Sequence, residues 1–230
     1  MRNGFVVGAV VVLAVVAGCN AGSGSNDAKQ PSLASTLSAP PPPPPMAGEG
    51  FDFYLFNLSW SPEFCATHHD AAPECAQHLG FVVHGLWPQN FDGTYPQHCG
   101  GGEGPRDAAS YRDIYPDAHL LMHEWETHGT CSGMAAGDYF ATIRRAKAAV
   151  KVPKVLSEAT EQLQLPPAEI LGDFVAANPG IPRESFALSC GNNWLTAVEV
   201  CLGKDLKAVA CEGVRSCRAN VVKVAARDRE

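Results

Sequence analysis

The sequence predicts an α+β fold: a central, mainly antiparallel sheet with helices packed on it, stabilised by disulfides. Three observations predict it. Strand-like segments stand at both ends of the folded region, with helical spacing between them. The apolar fraction of the 230 residues is 46%, enough for a sizeable core. Of 9 cysteines, 8 lie in the folded region and can form four disulfides, which points to an oxidising compartment.

Three regions follow from composition. Residues 1–18 form a leader. Met1-Arg2-Asn3 is a short basic start, and residues 5–17 are an unbroken apolar run. That run falls short of the roughly 20 residues that span a bilayer. It ends in Val16-Ala17-Gly18-Cys19 and reads as a secretory signal. The ending resembles a bacterial lipoprotein processing box, in which Cys19 is lipidated and becomes the mature N-terminus. An ordinary signal peptide cut near Ala17 or beyond is the other reading. Lipidation of Cys19 leaves an even number of cysteines for pairing. Residues 19–50 are a Gly/Ser/Pro-rich tether with six consecutive prolines, Pro40 to Pro45. Such a segment lacks the apolar content to fold and favours an extended spacer. Residues 51–230 form the folded domain.

Within the domain, residues 51–60 are aromatic-rich and read as a buried strand, stopped by Ser61-Pro62. Residues 81–87 read as a second strand, with Pro88 at its end. Residues 100–104 form a glycine-rich loop too irregular for a phosphate-binding signature. Residues 111–127 have helical spacing interrupted at Pro116. Residues 138–152 read as an amphipathic helix with Asp138 as N-cap. Residues 167–177 read as another, followed by Asn178-Pro179-Gly180. Residues 186–190, 194–202 and 206–211 are strand-like. No internal repeat is visible.

The formal net charge of −7 gives no basic field to grip a polyanion along its length. That argues against a nucleic-acid reader built on many phosphate contacts. It leaves room for an enzyme that engages a few nucleotides in a cleft.

Two motifs carry the chemistry: His84-Gly85-Leu86-Trp87-Pro88, and His123-Glu124-Trp125-Glu126-Thr127-His128-Gly129-Thr130-Cys131. Histidine titrates nearest neutrality, so two histidines at one scissile bond can serve as base and acid in one turnover. A zinc-protease reading needs two histidines at i and i+4 on a helix. His123 and His128 are five apart, roughly 140° around an ideal helix, which serves a shared metal poorly. Glu124 and His128 are i and i+4 and share a face. Gly129 allows the helix to end, and Cys131 can staple that end to another segment. The other histidines, His68, His69, His78, His98 and His119, read as surface or supporting residues. Trp60 and Trp125 read as structural.

These two motifs, their order and the cysteine pattern resemble the ribonuclease T2 family over residues 51–217. The resemblance implies a secreted endoribonuclease acting without metal or cofactor on single-stranded RNA. His128 matches the general base for the ribose 2′-OH, and His84 the general acid for the departing 5′-oxygen. His123 matches a phosphate-binding histidine, and Glu124 a residue supporting the transition state. Trp87 and Tyr95 match positions that sandwich a base, and Gln89 stands where an Asp often contacts the base edge. The implied disulfides are Cys65 with Cys75, Cys99 with Cys131, Cys190 with Cys217, and Cys201 with Cys211. One position departs: Thr127 stands where the family usually has a Lys beside the phosphate. A cation aimed at developing negative charge there is worth a few kcal/mol. A slower enzyme is therefore expected, or compensation from charged His123 or an arginine.

The expectation is thus an exported, lipid-anchored, monomeric endoribonuclease facing the periplasm or cell exterior. The alternatives are a surface protein that binds or scavenges RNA with weakened catalysis, a zinc hydrolase using His123, and an adhesion module with a vestigial cleft.

Overall fold

The computed structural model describes residues 50–68 and 73–227. The leader, Cys19, nearly all of the tether and His69 lie outside the described residues.

The chain runs β1 (Phe53–Trp60), α1 (Ser61–Thr67), β2 (Phe81–Gln89), α2 (Ala118–Thr127), α3 (Ala136–Ala149), α4 (Lys154–Ser157), β3 (Leu163–Leu165), α5 (Pro167–Ala177), β4 (Phe186–Gly191), β5 (Trp194–Leu202) and β6 (Val222–Val224). Strands β2, β1, β5 and β4 pair antiparallel in that order. Strand β6 joins β5 in parallel at Trp194–Lys223 and carries β3 on its other side. The sheet is open and mixed, mainly antiparallel.

Period-two alternation divides β1 between two environments. Tyr54, Phe56, Leu58 and Trp60 enter the main core with Leu121 and Trp125 of α2, Tyr139, Phe140 and Ile143 of α3, and Phe174 of α5. Phe53 and Leu55 enter a smaller cluster with Cys201, bordered by Trp87. Asn57 and Ser59 continue that second row with polar side chains, and it is this row that leads to the site.

Four disulfides join Cys65 to Cys75, Cys99 to Cys131, Cys190 to Cys217, and Cys201 to Cys211.

Several elements differ from the sequence reading. Pro62 does more than end β1: it sits in the first turn of α1, where its fixed φ and missing N–H suit a helix start. Pro88 lies inside β2, which is an edge strand and tolerates the lost donor. Helix α3 begins at Ala136 after Ala135, so Asp138 is in its first turn and is not the cap. Residues 206–211 form no strand. Leu206 has φ 63°, and the segment holds only a single bridge, Leu202 to Ala208.

Candidate active site

The first motif is bent by its backbone. Leu58 of β1 pairs with Val83 and Asn57 with Gly85, so His84 has no partner across the ladder. It is the extra residue of a β-bulge, a feature that re-aims a side chain. Simple alternation would put residues 84 and 87 on opposite faces. The bulge turns both to one side, and the His84 and Trp87 rings meet edge to face with centroids 5.2 Å apart. The Nδ1 of His84 lies 2.9 Å from the Ser59 hydroxyl.

Helix α2 brings the second motif to this strand. Asp117 caps it by accepting from the His119 N–H at 2.8 Å. Glu124, on the buried face of α2, is 0% exposed. Its Oε2 accepts from the Trp87 indole N–H at 2.7 Å. Its Oε1 has no hydrogen-bond partner and stands 3.5 Å from His84 Nε2. Burial pushes the Glu124 carboxyl up to about 8, against the opposing pull of the Trp87 bond. Gly85 makes the approach possible: a Cβ there would run into both the Glu124 carboxylate and the Trp87 indole nitrogen.

His128 ends α2. Its N–H bonds to the Glu124 carbonyl at 3.1 Å, and its ring stacks on Trp87 with centroids 5.1 Å apart. Burial, then the charges of His123, His84 and His98, holds its imidazole down to about 3. His84 is also lowered, first by burial and then by the charge of His123. Glu124 and His128 are linked through the backbone, while the carboxylate side chain lies beside His84. Gly129 is not the left-handed cap: that conformation belongs to Gly133, with φ 74°. Gly129 instead leaves room for the Trp125 and Tyr139 rings.

His123 is exposed and lines a cavity of about 330 Å³ with Ser59, His84, His119, Phe64 and Leu120. A second cavity of about 380 Å³ shares Ser59, Phe64 and His84 and adds Asn57, Trp87 and Glu199. Trp87 is half-buried and Tyr95 is 53% exposed. Gln89 is buried at the end of β2, opposite Phe53. Trp60 and Trp125 are core residues. Thr127 is buried, and its hydroxyl has no partner. Its carbonyl accepts from the His98 N–H at 2.9 Å, next to the Cys99–Cys131 bridge. Among the described residues no three His, Cys, Asp or Glu side chains are grouped to share a metal ion.

Sequence reasoning passed over Ser59 and the nearness of His98 and His119. The available signal for Ser59 was two polar residues, Asn57 and Ser59, two apart in an otherwise apolar strand. His98 gave no such signal, because a disulfide brings its loop in.

The ribonuclease T2 family model matches residues 51–211. A ribonuclease of Aeromonas hydrophila is 37% identical over 185 residues, covering 78% of this chain and 84% of its own. Ribonuclease DdI of Dictyostelium discoideum is 27% identical over 212 residues, covering 79% and 91%. Among solved structures, the RNase-related protein from Calystegia sepium superposes with a TM-score of 0.63 at 24% identity, covering 75% of this chain and 96% of its own. That last likeness speaks for the fold.

Proposed function

The chain belongs to the ribonuclease T2 family, and from that premise we propose that it is an endoribonuclease cleaving single-stranded RNA by internal transphosphorylation, without a metal. The observation that carries the reading is the convergence of both motifs on one indole. Trp87 meets His84 edge to face, stacks on His128 and donates to Glu124.

His128, held neutral, takes the proton of the ribose 2′-OH. The 2′-oxygen forms a bond to phosphorus as the bond to the 5′-oxygen breaks. His84, protonated, gives its Nε2 proton to that oxygen. The products are a 2′,3′-cyclic phosphate and a free 5′-hydroxyl. With Glu124 raised to about 8, its buried carboxyl is protonated in acid and adds no negative charge beside His84 and the phosphate. His123, exposed on the cavity it shares with His84, contacts the phosphate. His123 takes over the part that the family's lysine plays beside the base, since Thr127 is buried. Trp87 and Tyr95 offer faces for a base, and Gln89 its edge. Cys19, lipidated, would tether the exported domain to a membrane surface.

The test is product analysis on a short RNA and its 2′-deoxy counterpart with EDTA present. Cyclic-phosphate ends from the RNA alone are expected. Cleavage of the deoxy strand, or loss of activity with EDTA, overturns the reading. Tight RNA binding without cleavage would favour the weakened, scavenging alternative that Thr127 keeps open.

A further inference from the structure

Polar side chains cross the middle of the sheet where the pattern calls for apolar ones. Asn57 on β1 pairs with Glu199 on β5, and Ala187 on β4 pairs with the same Glu199. Asn57 is 4% exposed and Glu199 6%. Burying these groups is costly unless each finds a partner. They find one another. His84 Nδ1 meets the Ser59 hydroxyl at 2.9 Å, and that hydroxyl donates to Asn57 Oδ1 at 3.4 Å. Asn57 Nδ2 donates to Glu199 Oε1 at 3.2 Å, and the Ser189 hydroxyl donates to the same oxygen at 2.9 Å.

The direction of these bonds is consistent. In the imidazolium form both ring nitrogens carry protons, so Nδ1–H donates to the Ser59 hydroxyl, which then turns its own proton toward Asn57 Oδ1. Each donor points toward Glu199. We infer that Glu199, acting through Asn57 and Ser59, is a positioning residue for His84: the chain fixes Nδ1–H as a permanent donor and reserves Nε2 for proton exchange with the substrate. This rests on the reading of His84 as the general acid.

No proton travels along the chain. In the reaction the Nε2–H bond breaks, its electron pair stays on nitrogen, and the proton joins the departing 5′-oxygen. The Nδ1–H remains throughout. Burial pushes the Glu199 carboxyl up, against the pull of its bonds from Ser189 and Asn57; where it is ionised, it favours the His84 imidazolium, against burial and the charge of His123, which disfavour it. His84 also faces Glu124 at 3.5 Å and the His128 ring across Trp87, and Glu74, Asp117 and His119 line the cavity it shares with His123. Glu63 and His68 line the cavity that Asn57 and Glu199 share with His84.

The experiment compares the full-length protein with Glu199→Gln, Ser59→Ala and Ser59→Thr, by histidine ¹⁵N NMR titration and by kcat/KM against pH. Glu199→Gln keeps an acceptor for Asn57 and removes the charge. It should lower the His84 midpoint and the alkaline limb of kcat/KM together, by about half a pH unit. Ser59→Ala should shift neutral His84 toward the Nε2–H tautomer and reduce kcat about tenfold, while Ser59→Thr restores both. An unchanged His84 midpoint in folded Glu199→Gln overturns the inference, as does an unchanged tautomer in Ser59→Ala. If Glu199→Gln does not fold, the two Ser59 variants decide. Wild-type cleavage by His84→Ala would instead sink the general-acid reading, and the NMR result would still report on the chain.

Discussion

Glu124 and Trp87 are joined by a partly buried 2.7 Å hydrogen bond that locks the helix of the second motif to the strand of the first. The carboxyl carries a pH dependence with it. Its folded value, about 8, lies above its ordinary 4.5. The stability it contributes is therefore full below pH 4.5 and lost as pH rises toward 8. Glu124→Gln keeps an acceptor for the indole and removes the titration. The variant should match the wild type in stability at pH 4 and exceed it at pH 8, by on the order of 4 kcal/mol. Thermal unfolding at both pH values reads this directly. A Tm difference independent of pH would mean that Glu124 is ionised across the range.

Gly85 is required by space. A Cβ at this position meets the Glu124 carboxylate and the Trp87 ring. Gly85→Ala should cost about 1–3 kcal/mol in stability and remove most activity by displacing Trp87 from between the histidines. Unfolding in urea and steady-state cleavage measure the two effects. Unaltered activity would show that the Trp87–Glu124 bond is dispensable.

Activity should follow a bell on the acid side of neutrality. The base loses its proton at about 3, and the acid is lowered from its usual 6.5, so the plateau lies between them. His123 contributes to both shifts. His123→Gln should move both limbs of kcat/KM to higher pH and raise KM. Limbs that stay in place would remove His123 from the electrostatics of the site.

Thr127 precedes His128 and is buried. Its hydroxyl is buried without a partner, which costs about 1 kcal/mol or more. Thr127→Val should stabilise the fold by about 1 kcal/mol and keep kcat/KM within about twofold. A tenfold fall in activity would place that hydroxyl at the phosphate.

The Cys99–Cys131 bridge ties the loop of His98 to the turn after His128. Replacing both cysteines by serine should cost about 2–5 kcal/mol. Activity should fall at temperatures where far-ultraviolet circular dichroism is still native. Simultaneous loss of both signals would make the bridge global and not local in effect.

Long apolar elements were legible in the sequence. The runs that form β1, β5 and α5 announce themselves by pattern, and Pro116 marks the break before α2. Three-residue strands such as β3 and β6 carry too little pattern to be seen. The bulge at His84 was invisible because counting by twos assumes an unbroken ladder, yet it is what turns His84 and Trp87 to the same side. The motif residues were legible as chemistry, whereas their supports were not. Ser59 acts through a bond between strands, and His98 arrives through a disulfide that joins distant loops.

Two histidines divide the labour in this reaction, and one measurement separates them. The wild type, His84→Ala and His128→Ala would be compared on a ribonucleotide 3′-phosphodiester with a p-nitrophenol leaving group, beside ordinary RNA. That leaving group departs without a proton. The account predicts that both variants lose RNA cleavage, and that His84→Ala alone regains near-wild-type rates on the activated ester. Equal loss by both variants on the activated ester, or recovery by His128→Ala, would contradict it.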